Sequence, residues 1–409
     1  MPVHSSLDSY ELPNRSMYNN MKIKKLCSRL HLWLGLLSGI VVFVVCVTGC
    51  LFVFNEEIRA LYQPYQRVQP QEKPFLRPSQ LLSSAHASAE GEVISSLTYG
   101  QTDDAVVIDF VSGKAGDRQT IYLNPYTGRV LKVKKTAKSD FDFFKFVITV
   151  HRTLWLPRSV GKAIVGYSVL IFFITLVTGV VLWWPMHWNK KTMQSKLGFH
   201  HSIQGKHLIV SLHHVPGIYF IFPLLLVSFT GMMISLGWLQ TGVYQLLSYG
   251  EPMQKLVVPQ SDSLAPTSSS IVQLDKLYHQ VSEKYADAAQ IQLQLPQSKD
   301  EVYGVKVSHV RNTRYYYDYL FFDQNSLHPL KGAGVKAGCY TELTTANATM
   351  RLNRAVHDGS IWGIWTKILM FLTSLVGACL PVTGFLIWYR RHLSAELLHL
   401  FHDRLEVLY

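Results

Sequence analysis

Charge is scarce in this chain. Only 16% of its 409 residues are Asp, Glu, Lys or Arg, against about 25% in soluble domains, which argues against a purely soluble enzyme. Cysteine is also sparse. Cys27, Cys46, Cys50, Cys339 and Cys379 are scattered and form no CxxC pair, which excludes a disulfide scaffold and a thioredoxin-like redox motif. No phosphate-binding loop is recognisable. Gly332-Ala-Gly-Val-Lys-Ala-Gly338 is glycine-rich, but no strand–helix unit frames it, so a built-in dinucleotide site is excluded. What is present is a net charge of +12 and 17 His. A surplus of that size suggests a nucleic-acid binder only if it is gathered on one soluble face.

The charge-free stretches locate four apolar spans, each long enough for the ~20 residues that cross a bilayer core. They are residues 30–54, 160–185, 207–238 and 362–389. Trp183, Trp184, Trp238 and Trp388 lie near span ends, where amphipathic rings prefer the interface. Lys22, Lys24, Lys25 and Arg29 precede the first span. Lys190, Lys191, Lys196 and Lys206 fill the short loop between the second and third spans, and Arg390 and Arg391 follow the last span. The positive-inside rule therefore places the tail 1–29, the loop 186–206 and the tail 390–409 in the cytoplasm. The long connections 55–150 and 239–356, of nearly balanced charge, lie outside. The surplus thus marks sidedness, and no nucleic-acid partner is expected; membrane lipid is.

Two processing readings bear on the N-terminus. Val47-Thr48-Gly49-Cys50 resembles a lipoprotein cleavage box, but the preceding apolar segment is long for a signal core. The polar stretch up to Asn20 reads as a disordered tail or as an extension upstream of a start at Met21.

The chain also repeats in halves. His31-Leu-Trp-Leu-Gly35 matches His213-His-Val-Pro-Gly217, and Thr48-Gly49 and Thr230-Gly231 follow at the same spacing. Lys162, Thr178-Gly179 and Trp183 correspond at one offset to Lys367, Thr383-Gly384 and Trp388, with His151 and His357 just upstream. The Thr-Gly pairs read first as small residues for close helix packing. Each external connection reads as a small α+β unit with its own modest core. In the first, a helix is expected over Pro78–Glu90, strands over Ala105–Val111 and Gln119–Leu123, and a turn at Asn124–Gly128. In the second, a helix is expected over Ser268–Ala288, strands over Val302–Val310 and Tyr315–Phe322, and a turn near Asp323–Ser326.

Imidazole in or beside a span suggests function. His31 and His213 occupy cytoplasmic span ends, and His151 and His357 lie at external ends. Pseudo-symmetry would pair His31 with His213 and His151 with His357, each pair clamping a haem iron inside the bundle. Interfacial hydrogen bonding is the plainer reading of any single one. His214 and His207 are the weaker ligand candidates. His309 and His328 read as surface residues. Trp155 and Trp362, which follow the external histidines, read either as haem walls or as interfacial anchors.

These motifs resemble the PepSY-associated transmembrane family. The resemblance rests on Leu30–Gly35, Val150-His-Arg-Thr-Leu-Trp155, Thr178-Gly-Val-Val-Leu-Trp-Trp-Pro185, Leu212–Gly217 and Val356-His-Asp-Gly359. Tyr122-Leu-Asn-Pro-Tyr-Thr-Gly128 resembles the strand–turn motif of PepSY domains. The resemblance implies a multi-pass protein of the bacterial inner membrane, a four-helix bundle with two periplasmic α+β PepSY-like domains and an internal two-fold repeat. Some members are dihaem ferric-siderophore reductases. By resemblance, His31, His213, His151 and His357 would hold two haem b groups as axial iron ligands.

The function so implied is electron transfer from a quinol or a cytoplasmic reductase to a ferric chelate in the periplasm, releasing iron. Arg311, Arg314, Tyr315 and Tyr317 offer charge and aromatic surface for an anionic chelate, although a plain tyrosine-rich strand also explains them. The rivals are a non-redox membrane protein that binds peptides or regulates a peptidase or sensor, and a chelate transporter.

Overall fold

The structure is a computed structural model that describes residues 15–86, 88–89, 93–111, 118–137, 139–185, 187–198, 206–262, 270–313 and 315–406. In chain order it contains α1 (Arg15–Phe52), α2 (Asn55–Tyr62), α3 (Pro78–His86), β1 (Val93–Tyr99), β2 (Val106–Val111), β3 (Arg118–Leu123), β4 (Val130–Thr136), α4 (Phe143–Thr153), α5 (Arg158–Trp183), α6 (Lys190–Leu197), α7 (Lys206–Tyr219) and α8 (Ile221–Ser235). There follow α9 (Gly237–Leu247), α10 (Ser270–Lys284), β5 (Gln290–Gln294), β6 (Tyr303–Ser308), β7 (Tyr317–Phe322), β8 (Pro329–Leu330), α11 (Thr345–His357) and α12 (Ile364–Glu406). The chain divides into two compact units. One comprises residues 1–47, 151–229 and 372–409, the other residues 48–150 and 230–371.

The first unit is helical. Val42, Phe172, Leu176, Leu224 and Leu380 form its core. The opposite face of α1 leaves Trp33, Leu37, Ile40 and Phe43 exposed at helical spacing. Leaving such rings and branched chains in water is costly, so this surface suits a bilayer. Close approach between helices is bought with small residues: a Cβ on Gly39 would meet Pro381 at 3.4 Å, and one on Gly377 would meet Cys46 Sγ at 2.9 Å. Three helical stretches are long and apolar enough to cross a membrane, at Met21–Phe52, Arg158–Trp183 and Ile364–His392. The pair His207–Tyr219 and Ile221–Ser235, bent by 70°, makes a fourth if it is one span. One span over 207–238 was the expectation; within it the helix breaks between Tyr219 and Ile221. Pro223 explains the break, because its ring clashes with the carbonyl four residues earlier and it has no N–H to donate there.

The second unit carries one eight-stranded antiparallel sheet, ordered β4-β3-β2-β1-β5-β6-β7-β8. Each external connection supplies four strands, and they join where Leu97 of β1 pairs with Leu293 of β5. Two separate cores were expected, and the structure shows one. Leu81, Leu97, Ile108 and Ile121 from the first connection share a cluster with Leu277, Leu293, Val305 and Val307 from the second. Fusion removes two bare sheet edges. At the far edge, Lys132, Lys134 and Lys135 of β4 discourage further pairing.

The covering helices α3 and α10 are joined in the same way. The Ser79 N–H and hydroxyl donate to Asp275 at 2.8 and 2.6 Å, and Tyr99 stacks on Tyr278 at 4.1 Å. Asp275→Ala is expected to lower stability by about 2 kcal/mol, since each bond to a charged acceptor carries ~1.5–3 kcal/mol. Calorimetry should show a single transition for the sheet displaced downward. Separate transitions for the two halves would contradict a shared core.

The expected turns are present and have the same form. Asn124 Oδ1 accepts from the N–H groups of Tyr126 and Thr127, and Gly128 closes the turn at φ 71°. Asp323 Oδ1 accepts from the N–H groups of Asn325 and Ser326, and Leu327 takes the left-handed position at φ 59°. Burial alone would raise the Asp323 pKa, but hydrogen bonds from Ser261, Ser326 and the Asp262 N–H hold it well below the usual carboxylate range.

The glycine-rich run has a structural use. Arg351 of α11, 5% exposed, donates to the carbonyls of Val335 (2.7 Å), Ala337 (2.8 Å) and Tyr317 (2.9 Å). The left-handed Gly334 and Gly338 let that loop curl its carbonyls inward. Carbonyls facing a cation are the opposite of a phosphate cradle, which presents N–H groups.

Candidate histidine–metal site

The helical unit brings His31 and His213 together. Their ring centres lie 6.2 Å apart with planes at 89°. Two imidazoles on opposite sides of one metal ion have ring centres about 6 Å apart, from metal–nitrogen bonds of ~2.0–2.1 Å plus the ring radius. Each ring is held from behind by a Thr-Gly pair on another helix. His31 Nδ1 lies 3.0 Å from the Thr175 carbonyl and 3.2 Å from Thr178 Oγ1, and a Cβ on Gly179 would sit 3.1 Å from its Cε1. His213 Nδ1 lies 2.8 Å from Thr383 Oγ1, and a Cβ on Gly384 would sit 3.4 Å from its Cε1.

Of the external histidines, His357 is held in the same manner and His151 by a carbonyl. In the sheet-bearing unit, His357 at the end of α11 places Nδ1 3.1 Å from Thr230 Oγ1 of α8. A Cβ on Gly231 would meet its Cε1 at 3.0 Å. Asn353, one turn earlier on α11, donates to the Thr230 carbonyl at 3.2 Å and fixes the approach of the two helices. In the helical unit, His151 near the end of α4 places Nδ1 2.9 Å from the Val45 carbonyl of α1. Val45 lies 14 residues beyond His31 on that helix, about 21 Å at 1.5 Å per residue. The helical unit therefore holds anchored imidazoles at two well-separated levels.

These bonds define tautomers. A carbonyl only accepts, so Nδ1 of His31 and His151 carries the proton. The Thr383 hydroxyl spends its own proton on the Cys379 carbonyl at 2.8 Å, so it accepts from His213 Nδ1. Nε2 is left as the lone-pair nitrogen in each of the three, the tautomer that a metal ligand requires. Among the described residues no group of three or more His, Cys, Asp or Glu could hold a bare metal ion. A two-imidazole site suits a metal whose remaining positions are filled by a macrocycle.

The other candidates separate clearly. His214 is exposed on α7, with its ring 5.9 Å from that of His213; facing His31 falls to His213. His207 is exposed at the start of α7. Arg311 is engaged by Asp103 and Asp104, with Nη2 3.0 Å from Asp103 Oδ1, and Arg67 binds the same two carboxylates. Burial alone would raise the pKa of Asp103; the two guanidinium groups bring it below the ordinary value. Tyr317 lies under Arg351 and Lys306, and Tyr315 packs edge-on against Tyr316. Arg314 lies outside the described residues. Trp155 and Trp362 are 72% and 73% exposed. His309, expected at the surface, instead sits 3.2 Å from buried Asp318 and packs on Tyr340. In the sequence the Thr-Gly pairs read as plain helix packing; three of them seat a histidine of another helix, and Thr230-Gly231 seats His357 rather than His213, 17 residues before it.

Apolar helices that pass through a bilayer, joined by connections that build an antiparallel sheet, define a polytopic membrane protein. The model of the PepSY-associated TM region matches residues 28–391, and the chain belongs to that family. Nothing among curated proteins matches the chain.

Proposed function

We propose that this protein is a transmembrane haem b electron carrier of the bacterial inner membrane that reduces a ferric chelate, such as a ferric siderophore, on the periplasmic side. The observation that carries the reading is the anchoring of Nδ1 at His31, His213, His151 and His357, with glycine under three of the rings. His31 and His213 would hold one haem; His151 and His357 would hold a second. When bound, haem supplies one-electron chemistry at a potential set by its axial ligands and their hydrogen bonds.

The chain's own residues supply orientation. The Thr175 and Val45 carbonyls and the Thr178, Thr230 and Thr383 hydroxyls fix ring direction and strengthen the ligand nitrogens. With both imidazoles of a pair committed to the group they would hold, the chelate would be met at the periphery of the site. The donor is a quinol or a cytoplasmic reductase, and the termini are cytoplasmic in keeping with the basic tail and loop. The two external connections are PepSY-like halves of a two-fold repeat. Supporting this, each supplies four strands and one covering helix, and the Asn124 and Asp323 turns share one hydrogen-bond pattern.

Anaerobic reoxidation tests the proposal. Protein reduced with dithionite should lose its reduced haem bands when a ferric chelate is added, with Fe(II) trapped by ferrozine in equal amount. Bands that persist in the presence of excess chelate would remove the reductase reading. Thr383→Val removes the acceptor for His213 Nδ1 and is expected to weaken haem retention at that site about 10- to 100-fold, read as haem lost on dilution. Unchanged retention would mean that the hydroxyl does not position the ligand.

A further inference from the structure

The helical unit has an unusual charge inventory. Residues 15–47, 151–229 and 372–392 contain no Asp or Glu. The first acid further along α12 is Glu396. Basic residues are plentiful at the end of the bundle that holds His31 and His213, and Lys24, Lys196 and Arg391 are three of them. Lys24 lies seven residues before His31 on α1, two turns away on the same helix face and about 10 Å along the axis. Its Nζ donates to the Trp184 carbonyl at 2.6 Å, and Trp184 ends the helix whose Thr178-Gly179 seats His31. Lys196 of α6 accepts at its carbonyl from Trp183 Nε1 at 3.4 Å, beside the Trp184 that Lys24 holds, and it feels the Lys24 charge. Arg391 stands seven residues beyond Gly384, the seat of His213, again two turns along one face.

Most basic residues at this end are exposed, but Lys24 and Lys196 are half-buried. Burial and then the neighbouring Lys24 charge lower the Lys196 pKa. Two like charges drawn together out of water, with no carboxylate in these segments, leave a place for an anion. The haem of the proposed function would bring two propionates, the kind of anion that paired lysines hold.

Resting on that reading, we propose that Lys24 and Lys196, with Arg391 alongside, bind the propionates of the haem held by His31 and His213. These side chains would orient the haem and retain it at the basic end of the bundle. Lys24 and Lys196 are binding residues for the cofactor and make no contact with the ferric chelate.

The test compares haem with its dimethyl ester, in which both propionates are uncharged. Full-length protein from haem-deficient cells is titrated with each in mild detergent, using a His151→Ala background so that only the His31/His213 site fills. The parent should bind haem more tightly than the ester by about tenfold or more, the range of a charge-assisted hydrogen bond. The Lys24→Met/Lys196→Met variant should bind the two alike while keeping the bis-imidazole spectrum with either. A variant that keeps the parental preference overturns the proposal. So does a preference lost only when anionic phospholipid is withdrawn, which would assign the lysines to lipid headgroups. Parent protein that binds neither compound overturns the haem reading itself, a result distinct from haem and ester binding equally well.

Discussion

Under the proposed function, protein carrying His213→Ala is expected to retain one of two haems. His213 is one of two imidazoles whose ring centres stand 6.2 Å apart, and its Nδ1 is tied back to Thr383 at 2.8 Å. Removing it leaves His31 as a lone axial ligand. His214 lies on the same helix with its ring 5.9 Å from that of His213. It is exposed, and an adjacent residue points about 100° round the helix, so it cannot take the vacant place without turning α7. Pyridine haemochromogen analysis should therefore show half the parental haem per chain. The remaining haem should keep a six-coordinate spectrum, because His151 is anchored about 21 Å along α1 from the His31 level and His357 is anchored on Thr230. Loss of both haems would indicate that the pairs are not independent. Retention of both would assign the iron to other residues.

Arg351→Met is expected to cause the largest loss of stability in the sheet-bearing unit, about 3 kcal/mol or more. The guanidinium is buried against three carbonyls, and methionine fills part of the volume while leaving those acceptors unpaired in a site closed to water. Chemical denaturation should show the midpoint lowered with little change in slope. Because α11 carries both Arg351 and His357, weaker haem retention at that site should accompany the loss. A shift of under ~0.5 kcal/mol, ordinary for a surface change, would mean that Arg351 does not hold the loop.

Acid should weaken the same unit for a separate reason. Asp323 accepts from Ser261, Ser326 and the Asp262 N–H, and its carboxyl is held below the ordinary range. A depressed folded-state pKa contributes stability above the unfolded value of ~3.9, and that contribution is lost as pH falls through the folded value. Asp323→Asn should flatten the fall in melting temperature below about pH 4. An unchanged acid limb would place the sensitivity elsewhere.

Much of this molecule was legible in the sequence, for reasons tied to particular residues. The spans are legible because a bilayer tolerates few charges, and the gaps between Arg29 and Glu56 and between Lys162 and Lys190 show this directly. Strands β2, β3, β6 and β7 are legible because apolar residues alternate along them. The strands that join the halves are not. Val93–Tyr99 is interrupted by two serines, and Gln290–Gln294 is short and rich in glutamine. Without those two strands, each connection reads as its own domain, and the shared sheet is hidden. The bend of the third span follows from Pro223, whose effect falls four residues upstream and is easily overlooked beside Pro216. Of the site, spacing alone exposed the four histidines. It did not reveal that Thr-Gly pairs seat three of them, because helix packing requires the same small residues. Arg311 shows the converse failure: a charged residue in an aromatic segment looks available until Asp103 and Asp104 are seen to hold it.

The central claim is that the four anchored imidazoles hold haem. It is tested most directly by the spectrum of full-length protein purified in mild detergent from cells supplied with haem. The account predicts sharp reduced-minus-oxidised bands of six-coordinate haem b at two haems per chain, absent when all four histidines are alanine. Folded, colourless protein from those cells would contradict it.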